Sequence, residues 1–169
     1  IITTGSANHL YNELAFNLPL TESWALRAAG ASQKQDGDIP FENKALPAAR
    51  RYGTIDIASY RLSSLFKPHE NVKWLATYEN YQDTGTGTVP TLHAKKRFSR
   101  SQTPGAVDFE MQSIRNRLDI KLNNVAFSYI SGWSDFNRSQ LWAPELGNNL
   151  GDQVAKTQYL KNHSYQHEF

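Results

Sequence analysis

The clearest order in this chain is an alternation of apolar and polar residues with a period of two. That is the repeat of a strand, whose successive side chains point to opposite faces. Leu14, Phe16 and Leu18 alternate with Glu13, Ala15 and Asn17, which predicts a first strand over roughly Asn8 to Leu18. A second runs from Trp24 to about Gln35, with Trp24, Leu26, Ala28 and Gly30 on one face and Arg27 on the other. In a third, about Thr54 to Lys67, Ala58, Tyr60, Leu62, Ser64 and Phe66 oppose Ile57, Ser59, Arg61 and Ser63. A fourth starts at Val72 and sets Val72, Trp74, Ala76 and Tyr78 against Lys73, Leu75, Thr77 and Glu79. The fifth, about Val107 to Leu122, alternates most cleanly: Ile114, Asn116, Leu118, Ile120 and Leu122 oppose Arg115, Arg117, Asp119 and Lys121. The sixth, Val125 to about Asn137, groups Phe127, Tyr129, Ser131 and Trp133, and His163 to Phe169 begins a seventh.

The connections alternate as well. Short links at 19–23, 68–71 and 123–124 carry turn residues such as Pro19, Pro68, Asn71 and Asn123-Asn124. Long links fall near 36–52, 83–106 and 138–160. In an up-and-down sheet, this puts short turns at one end and long loops at the other, the layout of outer-membrane barrels. Charge is sorted in the same way. Between Ile114 and Leu122 the apolar face carries no charge, while its reverse carries four. Several strands also exceed the roughly 9–11 residues that cross a bilayer.

Composition narrows the choice. Hydrophobic residues make up 39% of the 169 residues, and mean hydropathy is −0.60. No run approaches the roughly 18 apolar residues of a membrane-spanning helix. A barrel needs only alternate residues to be apolar. The formal net charge of +2, from 18 basic and 16 acidic residues, lacks the basic excess of a nucleic-acid binder. There is no cysteine, which excludes a disulfide framework or a thiolate metal site and fits passage through an oxidising compartment. The start, Ile1-Ile2-Thr3-Thr4-Gly5, has neither the basic nor the apolar region of a signal peptide, so a leader is expected further upstream. Aromatic residues stand at 12%, with four Trp, eight Tyr and eight Phe. Strands favour them, and barrels concentrate them at both membrane interfaces.

A family resemblance follows from ordered motifs. Asn17-Leu18-Pro19-Leu20, then Trp24-Ala25-Leu26-Arg27-Ala28-Ala29-Gly30 and Asp36-Gly37, is similar to the first barrel hairpin of TonB-dependent receptors. Ser59-Tyr60-Arg61-Leu62 through Phe66-Lys67-Pro68 resembles their next strand and its periplasmic turn. Val125 through Trp133 resembles a later strand, and Tyr165-Gln166-His167-Glu168-Phe169 the start of another. The resemblance implies an all-β, antiparallel up-and-down set of transmembrane hairpins in the bacterial outer membrane. It belongs to a barrel of about 22 strands that an N-terminal plug closes. It also implies nutrient uptake energised through TonB, for a siderophore or a similar scarce solute. Neither plug nor TonB-contact segment is found here. Residues 1–169 are therefore expected to be a section of barrel. The implied partners are outer-membrane lipid and lipopolysaccharide, the rest of the barrel and its plug, the TonB system through that plug, and a small-molecule ligand.

No residue pattern argues for chemistry. Ser, His and Asp are present without triad spacing, so no enzyme is expected. No cofactor or metal is expected. His163 and His167 share a strand face with Tyr165, while Glu168 lies on the other, which favours lumen-lining or interfacial polar residues over a metal site. Gly85 and Gly87 lack the Lys-Ser/Thr of a phosphate loop and read as a flexible loop. Asp36 and Asp38 are too few for calcium. The run Lys95 to Arg100 reads first as a solvated loop, and second as a contact for lipopolysaccharide phosphates or an anionic ligand. The ligand-binding candidates, all in predicted external loops, are Arg97, Phe98 and Trp142. The alternatives are a soluble all-β carbohydrate-binding module using its exposed aromatics, and a barrel piece with a structural or adhesive role.

Overall fold

The computed structural model describes residues 1–40, 51, 53–86, 105–142 and 156–169. Every described regular element is a strand. They are β1 (Ile2–Thr4), β2 (Leu10–Pro19), β3 (Trp24–Gln35), β4 (Ile55–His69), β5 (Val72–Asp83), β6 (Ala106–Leu122), β7 (Val125–Trp142) and β8 (Lys156–Glu168). They form one antiparallel sheet in chain order, each strand paired only with its sequence neighbours. β1 and β8 are its edges, so the sheet is open.

The period-two segments become strands as expected, with differences at their ends. β1 is an addition: three residues paired with Leu10–Asn12 through a turn in which Ala7 and Asn8 adopt left-handed φ of 57° and 53°. β7 continues to Trp142 and β8 begins at Lys156, so the link expected at 138–160 shortens to 143–155. The sheet thus has eight strands rather than six and part of a seventh. Pro68 lies inside β4, at a register shift between Phe66 and His69. A bulge tolerates Pro there because the missing N–H need not enter the ladder.

The segregation of links holds. Residues 20–23, 70–71 and 123–124 close one end, and the strand ends that flank 36–54, 84–105 and 143–155 stand at the other. The β1–β2 link at 5–9 is the one short connection at the long end among those whose residues are all described. Two neighbouring turns are tied together at the short end, where the Lys67 amide donates to the Ser23 carbonyl at 2.7 Å.

Among the described residues no second layer packs on this sheet. Val107 is the only buried hydrophobic side chain among the described residues. Leu14, Phe16, Leu18, Leu62, Trp74 and Phe127 are all more than 40% exposed. A soluble sheet buries one face against another layer. Here the apolar face is uncovered by any other described residue.

Candidate functional site

The register collects every predicted apolar face on one side. In one ladder row stand Phe16, Ala28, Leu62, Tyr78, Ile114, Trp133 and Tyr165. The next row toward the turns is Leu18, Leu26, Ser64, Ala76, Asn116, Ser131 and His167, and the next is Trp24, Phe66, Trp74, Leu118 and Tyr129. The indole N–H of Trp24 donates to Ser64 Oγ at 2.9 Å, which satisfies a polar tip on this face.

The hairpin ends reveal how this face is inclined. Trp24, where β3 begins, is level with Trp74, but β5 begins two residues further on, at Val72. Val72 is level with Phe127, but β7 begins two residues further on, at Val125. The short ends therefore step by two residues per hairpin, or one per strand. With a rise of about 3.4 Å per residue and a strand spacing of about 4.8 Å, that step makes the line of turns slant by about 35° across the ladder. Strands standing on a flat boundary would tilt by that angle, within the roughly 35–45° of transmembrane barrels.

Charges obey the slanted line and not the ladder. On the apolar face of β3, β4, β6 and β7 the first charges toward the long loops are Lys34, Asp56, Glu110 and Asp135; on β8 the first is Lys161, level with Asn137 and three residues beyond the line. Asp135 on β7 is level in the ladder with Gly30 on β3, four residues short of Lys34. Four strand steps separate β3 from β7, and they supply that offset. Glu110 and Asp56 fall within one residue of the same line. Below it, the apolar face of β2–β7 is free of charge down to the turns. From Ile114 to Leu122 this is about 27 Å along the strand, or about 22 Å after the tilt. Aromatics stand toward both margins: Trp24, Phe66 and Trp74 in one ladder row and Phe127 one row nearer the turns, and Tyr78, Trp133 and Tyr165 in another row with Tyr60 one row nearer the charges.

The reverse face is ionic. Arg61 on β4 and Arg115 on β6 both clasp Glu79 on β5, one on each carboxylate oxygen, and Ser113 Oγ donates to the second oxygen at 3.5 Å. Arg117 donates from Nε to both Asp119 oxygens at 2.9 and 3.0 Å, and Ser128 Oγ is a second donor, to Oδ1 at 2.8 Å. Arg27 Nη1 donates to Asn17 Oδ1 at 2.9 Å. Toward the long loops the same face carries an aromatic group beside Asp83 and Arg138, with Phe109 edge-on to Tyr81 and tilted against Phe136, ring centroids 5.8 Å apart in each pair.

Of the candidate ligand residues, Arg97 and Phe98 lie outside the described residues, as does the rest of the Lys95–Arg100 run. Trp142 is the last residue of β7, paired with Lys156, rather than a loop residue. The chain around Gly85 is ordered rather than free. The Gly85 amide donates to Asp83 Oδ1 at 2.9 Å, and Thr86 Oγ1 accepts from the amides of Gly53 and Thr54 at 3.0 Å. Asp36 Oδ2 accepts from Asn8 Nδ2 at 2.6 Å. His163 and His167 share a face but have separate neighbours: His163 Nδ1 is 3.2 Å from Asp135 Oδ1, and His167 Nδ1 is 2.8 Å from the Tyr129 hydroxyl. The Arg61–Glu79–Arg115 cluster was not singled out from sequence, since only the register brings three strands' charges together. Comparison with protein-family models, curated proteins and solved structures finds no match for this chain.

Proposed function

We propose that this chain is a section of the wall of a large outer-membrane β-barrel, the apolar face against lipid and the ionic face toward a wet interior. The observation that carries this reading is the charge-free apolar face, whose upper margin becomes level only at the tilt set by the hairpin ends. Its height of about 22 Å is close to the roughly 25 Å apolar band of such barrels, and aromatics flank both edges. A charge at the middle of that band costs about 2–4 kcal/mol, a physical reason for its absence. Strands of 15, 17 and 18 residues for β4, β6 and β7 extend beyond the band on the long-loop side.

The ordered motifs shared with TonB-dependent receptors support the finer reading: a receptor for energised uptake of a scarce nutrient, siderophore or similar, with this section supplying wall and external loops. The open edges at β1–β2 and β8 then pair with further strands of the same barrel. A soluble carbohydrate-binding module fits less well, because its apolar residues would be covered by a second layer.

These 169 residues have no cysteine, so introduced thiols are unique within this section, and the test uses the full-length gene product with any cysteine elsewhere replaced by serine. Ser64→Cys and Ser131→Cys sit on the apolar face; Ser59→Cys and Ser134→Cys sit on the ionic face. In native outer membranes a charged, membrane-impermeant maleimide should label the second pair and spare the first, and detergent should expose all four. Equal labelling of both pairs in membranes, or recovery of the protein without detergent, would overturn the reading. Energised uptake further requires that solute accumulation stop when the inner-membrane proton gradient is collapsed.

A further inference from the structure

The ionic face holds more positive charge than it neutralises. Across the height of the apolar band, β3–β6 present Arg27, Arg61, Arg115 and Arg117 with Lys73 and Lys121, against Glu79 and Asp119 among the described residues. Asp119 is saturated by Arg117 and Ser128. Glu79 is shared by two guanidinium groups, so the Arg61–Glu79–Arg115 unit keeps one net positive charge. Both Glu79 oxygens are occupied, while the side chains of Arg61 and Arg115 remain 57% and 60% exposed. One carboxylate holding two guanidiniums fixes their positions, which lowers the ordering cost of binding a second anion between them.

The floor beside this unit is built to match. One ladder row reads Arg27, Ser63, Thr77, Arg115. The hydroxyls of Ser63 and Thr77 are 3.3 Å apart, on adjacent strands, flanked by an arginine on each side. Arg61 and Glu79 stand in the next row toward the long loops, and the two hydroxyls are half-buried. Arg27 has no carboxylate partner among the described residues; its hydrogen bond to Asn17 is to a neutral amide. Arg27 and Arg115 stand three strand spacings apart, about 14 Å between backbones, so two extended arginine side chains reach a group seated on the hydroxyls.

We infer that Arg27, Arg61 and Arg115, over the Ser63–Thr77 hydroxyls, form a seat for an oxyanion, a carboxylate or phosphate group carried by a small solute. Planar guanidinium forks are matched to both groups. The inference rests on the barrel reading for the solute's route, since only then does the ionic face look into a barrel interior, between the wall and the plug.

The test is calorimetric titration of the detergent-solubilised full-length protein at low ionic strength, with citrate and inorganic phosphate in separate experiments and choline as the cationic control. Saturable binding of citrate alone assigns a carboxylate-bearing solute; binding of phosphate alone assigns a phosphate-bearing one. Arg27→Gln and Arg115→Gln should each weaken binding at least tenfold, and Thr77→Val severalfold with an unchanged melting temperature. Arg138→Gln, on the same face but near the long loops, should leave it unchanged. Failure of both anions to bind, or binding indifferent to Arg27→Gln and Arg115→Gln, would overturn the seat. So would absent binding together with a lowered melting temperature in Arg115→Gln, because an acidic residue of the protein itself would then occupy the position. Arginine-dependent anion binding by a protein that needs no detergent would keep the seat and remove the barrel; correct cysteine labelling without anion binding would do the reverse.

Discussion

Placing one arginine at two positions of the same ladder row separates a tilted, lipid-embedded sheet from every other reading. Ala28 on β3 and Ile114 on β6 belong to one row and one face. Ala28 lies near the middle of the charge-free span of its strand, between Trp24 and Lys34. Ile114 lies toward the charged margin, near Glu110. Three strand spacings of about 4.8 Å, inclined by about 35°, raise Ile114 about 8 Å above Ala28 along the membrane normal. In the proposed barrel, a half-band of about 12 Å would put Ala28 at the midplane and Ile114 two thirds of the way out. Arginine should therefore cost about 3 kcal/mol at Ala28 and about 1 kcal/mol at Ile114, since the penalty falls toward the interfaces. In equilibrium constants these are about 150-fold and about fivefold. Ile114→Arg must be compared with Ile114→Ala, which removes the loss of the isoleucine itself; Ala28 is its own reference. The assay is guanidinium unfolding of the full-length protein refolded into phospholipid vesicles. Equal penalties at the two positions would refute the tilt. Penalties below about 0.5 kcal/mol at both would refute the lipid contact, because that is the ordinary range for an exposed surface change.

Two further perturbations probe the ionic face and the loop bases. Glu79→Gln leaves Arg61 and Arg115 facing each other without their shared carboxylate; because both arginines are more than half exposed, the expected loss is about 1 kcal/mol at 50 mM salt. At 500 mM salt it should shrink to a few tenths, since the screening length falls to about 4 Å, and a salt-independent loss in denaturant titrations would contradict the electrostatic account. Gly85→Ala would bring a Cβ to 2.5 Å from the Thr54 carbonyl oxygen, a backbone atom that cannot swing aside. The expected cost is about 1–3 kcal/mol, seen as faster hydrogen exchange at the Thr54 and Thr86 amides with no change in the turns. Unchanged exchange at those amides would show that the Thr54–Thr86 link is not what orders the loop base.

Strand identity was legible because one face of each strand is apolar over at least three alternate positions, as in Leu14, Phe16 and Leu18. Where both faces are polar, the period vanishes and so does the prediction. Asn137 to Gln140 at the end of β7, and Gln158 to Asn162 in β8, carry too little contrast to show a strand, yet their backbones pair throughout. β1 is only three residues long and is fixed by pairing with β2, a contact between segments rather than a property of either. The ionic cluster was hidden for the same reason. Arg61, Glu79 and Arg115 each stand visibly on the polar side of a strand, but their meeting depends on the register of two ladders.

The register also explains why the band margin looks ragged strand by strand. The charge-free stretch reaches Lys34 on β3 but stops at Asp135 on β7, which is level with Gly30. Read along the ladder, this is a band that drifts toward the turns. Read along the hairpin ends, it is flat. Two features with different physical causes share one slope. The stepping of the turns is a matter of backbone geometry, while the placement of charge is a matter of solvation. A solvent-exposed sheet supplies no force to bring them into agreement, because water tolerates Lys, Asp or Glu at any height. A planar boundary between an apolar and an aqueous medium would supply it on β3, β4, β6 and β7, since each charge that crosses the boundary is penalised while the strands meet it at a common tilt.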